Sequence, residues 1–113
     1  MEDDAGVRSY VQDVLEANGY RTLDAKVGAD AMEITRRYDG PIHLLITDLG
    51  LPGMKGTEVS RRFRSLRPGI PVLTMSGYPA RFGAEIDDAI PLLQKPFTPS
   101  VLLNKIREIL DGR

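Results

Sequence analysis

The chain has no cysteine and no tryptophan among its 113 residues, and it has one histidine. The absence of cysteine excludes disulfides, thiolate metal sites and cysteine nucleophiles, and it fits a reducing compartment. The one histidine, His43, stands at the start of a predicted strand without a second ligand, which indicates a structural role. Cysteine chemistry is therefore excluded, and a histidine metal site is disfavoured.

The sequence also lacks a strong charge of either sign and a long apolar run. The net charge of -1 gives no broad reason to bind nucleic acid or an anionic membrane. The arginines between 61 and 67 alternate with apolar helix positions, which is typical of a solvated helix face. No apolar stretch approaches the roughly 20 residues that span a bilayer, and the acidic start is unlike a secretory signal. We expect a cytoplasmic protein.

What is present fits one compact α/β domain over residues 1–113, with 42% hydrophobic and 27% charged residues. Apolar spacing predicts helices at 7–17, 28–38, 57–66 and 79–88 and after Thr98, and strands at 20–25, 42–47, 72–75 and 90–94. Strands that alternate with helices imply right-handed crossovers and a parallel sheet covered on both faces. The carboxyl ends of such strands meet at one edge of the sheet.

Polar residues close the predicted strands at that edge. Asp48 ends the apolar run Leu44-Leu45-Ile46-Thr47, while Ser76 and Lys95 follow the next two strands. The acidic run Glu2-Asp3-Asp4 stands just before the first helix. We therefore expect carboxylates, a hydroxyl and a lysine to converge on one crevice.

This set of residues permits a narrow range of chemistry. Crowded carboxylates repel one another unless a hard cation lies among them, and Mg²⁺ favours a few carboxylates, a carbonyl and retained waters. A metal held by Asp3 and Asp48 would screen the approach of a phosphoryl group to Asp48. Lys95 would add positive charge, and Ser76 a hydrogen bond. The predicted product is an acyl phosphate on Asp48.

The pattern resembles the receiver domain of two-component response regulators. Four motifs in the family's order carry the resemblance over essentially the whole chain: Glu2-Asp3-Asp4, Thr47-Asp48 with Leu51-Pro52-Gly53-Met54-Lys55-Gly56, Thr74-Met75-Ser76-Gly77-Tyr78, and Lys95-Pro96-Phe97. The fold that the resemblance implies is flavodoxin-like, a doubly wound parallel sheet of order 2-1-3-4-5. The motifs around Ser76 and Lys95 look most like those of receivers at the C-terminal end of hybrid histidine kinases.

The resemblance also implies a role for each site residue. Asp48 resembles the phosphoacceptor, which takes its phosphoryl group from a histidine kinase or histidine phosphotransfer domain. Asp3, Asp48 and the Gly50 carbonyl resemble the Mg²⁺ ligands, with Glu2 acting through water. Ser76 matches the switch hydroxyl and Lys95 the phosphate-pairing lysine, whose bond to Pro96 is cis in the family. Such a domain is a signalling receiver that catalyses its own phosphorylation and dephosphorylation, rather than an enzyme.

Three features depart from the family pattern. The family's first strand ends at the acidic pair, whereas only Met1 precedes Glu2 here, so we expect a trimmed or misassigned start; otherwise a neighbouring molecule or altered packing covers the gap. Leu92 stands where many receivers carry the aromatic half of the switch. The helix between Tyr78 and Ile90, which family homodimers use, is short and contains Pro79, so a homodimer stays an open expectation.

Two other functions fit part of the same pattern. Phosphohydrolases of the haloacid dehalogenase type place a second Asp two residues after the nucleophile, and here that position is Gly50, which argues against an enzyme. A degenerate receiver that binds proteins without phosphorylation would normally lose the acidic pair or the lysine, and both are retained. The missing first strand alone keeps this second alternative open.

Overall fold

A computed structural model of the chain describes residues 2, 4–26, 28–48, 56–77 and 91–111. These residues contain four helices and three strands in the order α1 Ala5–Ala17, α2 Gly28–Arg37, β1 Leu45–Asp48, α3 Gly56–Leu66, β2 Val72–Ser76, β3 Leu92–Gln94 and α4 Pro99–Asp111. The predicted helix at 79–88 and the site residues Asp3 and Gly50 lie outside the described residues. Helices interspersed with parallel strands confirm the predicted α/β class.

Local side-chain chemistry accounts for the helix ends. The Asp4 carboxylate caps α1, because its Oδ1 accepts from the N–H groups of Gly6 at 2.8 Å and Val7 at 3.1 Å. Gly19, just beyond α1, has the positive φ of 88° that ends a helix most easily at glycine. Thr98 Oγ1 accepts from Val101 N–H at 3.3 Å at the start of α4.

The described strands form a parallel sheet in the order β1-β2-β3. Asp48 at the end of β1 is in register with Met75, and Ser76 at the end of β2 is in register with Gln94. All five residues of the central strand β2 are buried, as a strand covered on both faces requires. The five-strand order 2-1-3-4-5 stays a prediction.

The predicted strand at 20–25 is wrong, since residues 20–26 take no strand pairing in the structure. A strand exists only where a neighbouring backbone completes a ladder of hydrogen bonds. Glu2 N–H donates to Ala25 O at 3.0 Å and supplies one such rung. Apolar residues of this segment still contact the core, because Ala25 is buried and Tyr20 packs on the core.

The core lies on both faces of the sheet. One cluster packs under α2 and α3: Ala25, Ala31, Met32, Leu45, Phe63, Ile70 and Val72. The other packs under α1 and α4: Val11, Leu73, Met75, Leu93, Leu102 and Ile106. Within the described part of the chain, no helix is both long and apolar enough to cross a membrane.

The apolar spacing of the helices predicts core positions for Tyr10, Tyr38 and Phe63, and the structure gives them different environments, with Tyr38 half-buried. Phe63 is buried, as predicted, whereas Tyr10 is 37% exposed at the rim of the core. The Tyr10 hydroxyl donates to Phe97 O at 3.1 Å, and the two rings lie 6.0 Å apart. The prediction for Tyr10 fails because its phenol group finds a polar partner at the rim, where one end of the ring can stay wet.

An arginine joins α2 to the turn after α3, and we call this contact the arginine clamp. The Arg67 guanidinium donates to the carbonyls of Gly40 at 2.8 Å and Thr35 at 3.1 Å, and also to that of Tyr38. These carbonyls belong to the C-terminal end of α2 and the segment before β1, so the clamp lies near the amino edge of the sheet. It satisfies main-chain acceptors that the helix itself leaves open.

Candidate functional site

A lysine lies between two carboxylates at the carboxyl edge of the sheet. Lys95 Nζ donates to Glu2 Oε1 at 3.0 Å, to Glu2 Oε2 at 3.1 Å and to Asp48 Oδ2 at 3.0 Å. We call Glu2, Asp48 and Lys95 the acid–lysine cluster. It joins residues that are up to 93 positions apart in the sequence.

The sheet positions two members of the cluster. Asp48 is the last residue of β1, and Lys95 directly follows β3. Lys95 N–H donates to Ser76 O at 2.8 Å, which continues the β2–β3 pairing by one rung. The Lys95-Pro96 bond is cis, as the resemblance implied.

The third member, Glu2, is held through its main chain. Its N–H donates to Ala25 O at 3.0 Å, and its carbonyl accepts from Arg8 Nη1 at 2.9 Å. No sequence pattern points to Arg8, because one arginine on the first helix carries no motif signal. Its partner is a main-chain carbonyl, which any residue at position 2 would offer.

The cluster is largely shielded from solvent. The side chains of Glu2, Asp48 and Lys95 are 3%, 14% and 20% exposed. Burial, and then the hydrogen bond with Asp48, raise the pKa of Glu2 to about 7, although Lys95 opposes the rise. Burial lowers the pKa of Lys95, but its hydrogen bonds with Asp48 and Glu2 outweigh that effect and leave it raised. The lysine therefore stays charged.

The donor set fits a hard divalent cation. Glu2 and Asp48 share one lysine, and when both are ionised they carry more negative charge than its ammonium group neutralises. Carboxylate oxygens are ligands that Mg²⁺ prefers. In the described residues no three His, Cys, Asp or Glu side chains form a metal cluster, but the expected ligands Asp3 and Gly50 lie outside that part of the chain. Asp4 is not part of the cluster, because its carboxylate caps α1.

Of the residues predicted to line the crevice, the structure describes Glu2, Asp48, Ser76 and Lys95. Asp48 and Lys95 are in direct contact, as expected, and Glu2 joins them. Ser76 is buried at the end of β2, and its carbonyl bonds the main chain of Lys95. The arrangement offers a carboxylate nucleophile beside a fixed positive charge, in a site from which most water is excluded.

Comparisons with a family profile and with known proteins agree on one family. The profile described as the response regulator receiver domain matches residues 1–107. The response regulator receiver protein CpdR of Brucella abortus is 33% identical over 113 residues, which cover 96% of this chain and 92% of that protein. The uncharacterized transcriptional regulatory protein YbdJ of Bacillus subtilis is 33% identical, and the sensor kinase CckA of Brucella abortus is 29% identical. The chain spans 49% of YbdJ and 12% of CckA.

Solved structures agree with this result. The receiver domain of the hybrid histidine kinase CckA superposes with a TM-score of 0.82 at 31% identity, covering 96% of this chain and 94% of that one. The receiver domain of a Pseudomonas aeruginosa sensor histidine kinase gives a TM-score of 0.82 at 19% identity, covering 98% and 93%, and its structure has a magnesium ion coordinated in the active site cleft. The fold is therefore that of a flavodoxin-like receiver.

Proposed function

Because this chain belongs to the response regulator receiver domain family of two-component signalling, we propose that it accepts a phosphoryl group on Asp48. The donor is the phosphohistidine of a histidine kinase or of a histidine phosphotransfer domain. The observation that carries the proposal is the contact of Lys95 Nζ with Asp48 Oδ2 at 3.0 Å, beside the buried Glu2. A receiver is a phosphorylation-switched signalling module, and this contact supports Asp48 as the carboxylate that accepts the phosphoryl group.

In the proposed reaction an Asp48 carboxylate oxygen attacks the phosphorus atom. The new bond is O–P, the bond that breaks is the N–P bond of the donor, and the histidine nitrogen keeps the electron pair. Lys95 balances the negative charge of the phosphoryl oxygens, and the Ser76 hydroxyl donates a hydrogen bond to one of them. Water later hydrolyses the acyl phosphate slowly and restores the Asp48 carboxylate.

Mg²⁺ is the proposed cofactor. Asp3, Asp48 and the Gly50 carbonyl would hold the ion, with Glu2 acting through water. When bound, the cation supplies positive charge that screens an incoming anion from the carboxylates. The carboxylate pair of Glu2 and Asp48 supports this assignment, since one lysine leaves it with a net negative charge.

We further propose a conformational change on phosphorylation and a location in the cell. Phosphorylation draws Ser76 towards the phosphoryl group and shifts the conformations available to residues 76–98. We place the protein in the cytoplasm, as a single domain over residues 1–113, without direct contact with nucleic acid or membrane. Homodimerisation is a further hypothesis, and no output is assigned.

Intact mass measurement tests the proposal directly. The protein is incubated with a small acyl-phosphate donor, with and without Mg²⁺, as the wild type and as Asp48→Asn. We expect one Mg²⁺-dependent phosphoryl adduct on the wild type and none on the variant, while the exposed control Asp111→Asn keeps the adduct. A folded wild type without an adduct would instead favour a module that binds proteins without phosphorylation.

A further inference from the structure

We propose that Arg8 is a positioning residue of this site, which holds the main chain of Glu2 so that the Glu2 carboxylate faces Lys95 and Asp48. The inference deepens the proposed function and rests on it for its biological meaning. Its structural content concerns only described residues. Arg8 touches neither Asp48 nor Lys95 in the contacts above, so it acts through Glu2.

The geometry of Arg8 begins with α1. Arg8 N–H donates to Asp4 O at 2.9 Å, so the arginine lies one turn after the capped start of the helix. Its side chain, 24% exposed, reaches back along the helix to the residues that precede it. Nη1 donates to Glu2 O at 2.9 Å, while Nε lies 3.6 Å from Asp24 Oδ2. One guanidinium group thus joins α1, Glu2 and the segment at 20–26.

The main chain of Glu2 depends on this contact more than a residue inside a strand would. Residues 20–26 form no strand, so Glu2 is not part of a continuous ladder in the described structure. Its N–H is bonded to Ala25 O, and its C=O is bonded to Arg8 on the other side of the peptide chain. Loss of the second bond leaves Glu2 held by its N–H and by the contacts of its carboxylate with Lys95, so its carbonyl side loses its anchor.

The position of Glu2 matters because its carboxylate is shared. Both Glu2 oxygens accept from Lys95 Nζ, at 3.0 and 3.1 Å, and the same nitrogen bonds Asp48. A shift of the Glu2 main chain therefore changes how the hydrogen bonds of Lys95 are shared between Glu2 and Asp48. It also moves one of the oxygens from which the proposed cation site is built.

The two contacts of Arg8 use two different nitrogens of one planar fork. A lysine has a single nitrogen at the end of a flexible stem, so it lacks the fixed spacing between donors that the guanidinium plane provides. Arg8→Lys should therefore keep the charge near Asp24 and restore the position of Glu2 only in part. Asp24→Asn should have a smaller effect than Arg8→Ala, because it removes the charge that orients the fork but leaves the bond to Glu2 O.

Calorimetric titration with Mg²⁺ and hydrogen exchange of the Glu2 amide test the inference together. Loss of groups that orient metal ligands weakens metal affinity by about 10- to 100-fold, and we expect about tenfold for Arg8→Ala. The Glu2 amide should exchange at least about tenfold faster in the same variant. The matched control is Arg36→Ala, which removes an exposed arginine paired with Glu33 at 3.1 Å on α2 and should change neither readout.

The two readouts separate this inference from the proposed function. Wild-type Mg²⁺ affinity in folded Arg8→Ala, or an unchanged Glu2 amide, overturns the positioning role. A wild type that takes no phosphoryl group overturns the proposed function, while faster Glu2 exchange in Arg8→Ala still supports the positioning role. If Arg8→Ala fails to fold, folded Arg8→Lys decides, and a wild-type result for both readouts there overturns the inference.

Discussion

A positively charged side chain lies at each of the two ends of the strands in the sheet, and the two side chains have different kinds of partner. At the carboxyl edge Lys95 lies among the carboxylates of Glu2 and Asp48. Near the amino edge Arg67 lies among the main-chain carbonyls of Thr35, Tyr38 and Gly40. The carboxylates around Lys95 can gain a proton, and we propose that they also take up a metal ion and a phosphoryl group, whereas the carbonyls around Arg67 neither gain nor lose a proton at physiological pH.

The contrast teaches how one fold combines a fixed frame with a responsive site. Carbonyls at a helix end keep the same charge over the physiological pH range, so the arginine clamp has one state. Carboxylates brought together at low exposure have several states of similar free energy, because each is stabilised by a different counter-charge. We therefore expect changes at Arg67 to alter stability alone, and changes at the acid–lysine cluster to alter stability in a way that depends on solution conditions.

The largest effect on stability is expected for Arg67→Met. It removes the donor from three carbonyls, at about 1 kcal/mol for each net hydrogen bond, and should lower the free energy of unfolding by about 3 kcal/mol. Urea unfolding measures the loss. Arg64→Met, on the exposed face of α3, should stay within about 0.5 kcal/mol of the wild type. Equal losses in the two variants would show that the clamp adds no stability.

A smaller effect that depends on Mg²⁺ is expected for Lys95→Met. Without the ammonium group the carboxylates of Glu2 and Asp48 oppose each other, which should cost about 2 kcal/mol at pH 8, less than for a fully buried pair because Lys95 is 20% exposed. Mg²⁺ should stabilise this variant more than it stabilises Arg67→Met. Thermal unfolding with and without Mg²⁺ checks the difference, and equal stabilisation of both variants would contradict the contrast between the two edges.

The smallest effect is expected in the pH dependence of stability. Glu2 has a pKa of about 7 in the folded protein and 4.5 as its ordinary value, so between these pH values the folded state binds a proton that the unfolded state has lost. The free energy of unfolding should therefore fall as pH rises from 5.5 to 7.5, by about 1–2 kcal/mol. The raised pKa of Lys95 acts near its ordinary value of 10.5 and above, outside this window.

Two variants check this pH dependence. Glu2→Gln should flatten the fall in stability between pH 5.5 and 7.5, because an amide has no proton to lose. Glu108→Gln, at an exposed position of α4, should retain it. A wild-type slope in Glu2→Gln, measured by urea unfolding without Mg²⁺, would assign the dependence to another group.

The sequence predicts the acid–lysine cluster better than the arginine clamp. Asp48, Ser76 and Lys95 each follow an apolar strand, and parallel strands bring their ends together, so the convergence follows from the pattern alone. The arginine clamp uses carbonyls, which every residue has, so no residue type announces it. The contact of Arg8 with Glu2 O escaped prediction for the same reason.

The errors have local physical causes. The apolar spacing of residues 20–25 is that of a strand, but pairing depends on a partner backbone that spacing does not contain. Tyr10 has the helical spacing of a core residue, yet its hydroxyl finds Phe97 O at the rim. Asp4 stands in an acidic run just before a helix, a position that fits a metal neighbour and a helix start equally, and the two amide contacts of its carboxylate decide for the helix start.

The hydrogen bond from Lys95 N–H to Ser76 O has a mechanical consequence. It is the last rung between the segments that end β2 and β3, at 2.8 Å, and the preceding rungs are part of a sheet whose central strand is wholly buried. Separation of the two main chains at this point would break this bond and then the neighbouring hydrogen bonds between β2 and β3. We therefore expect the Ser76 hydroxyl and the Lys95 ammonium group to approach a phosphoryl group by rotation of their side chains, while the main chains of these two residues keep their spacing.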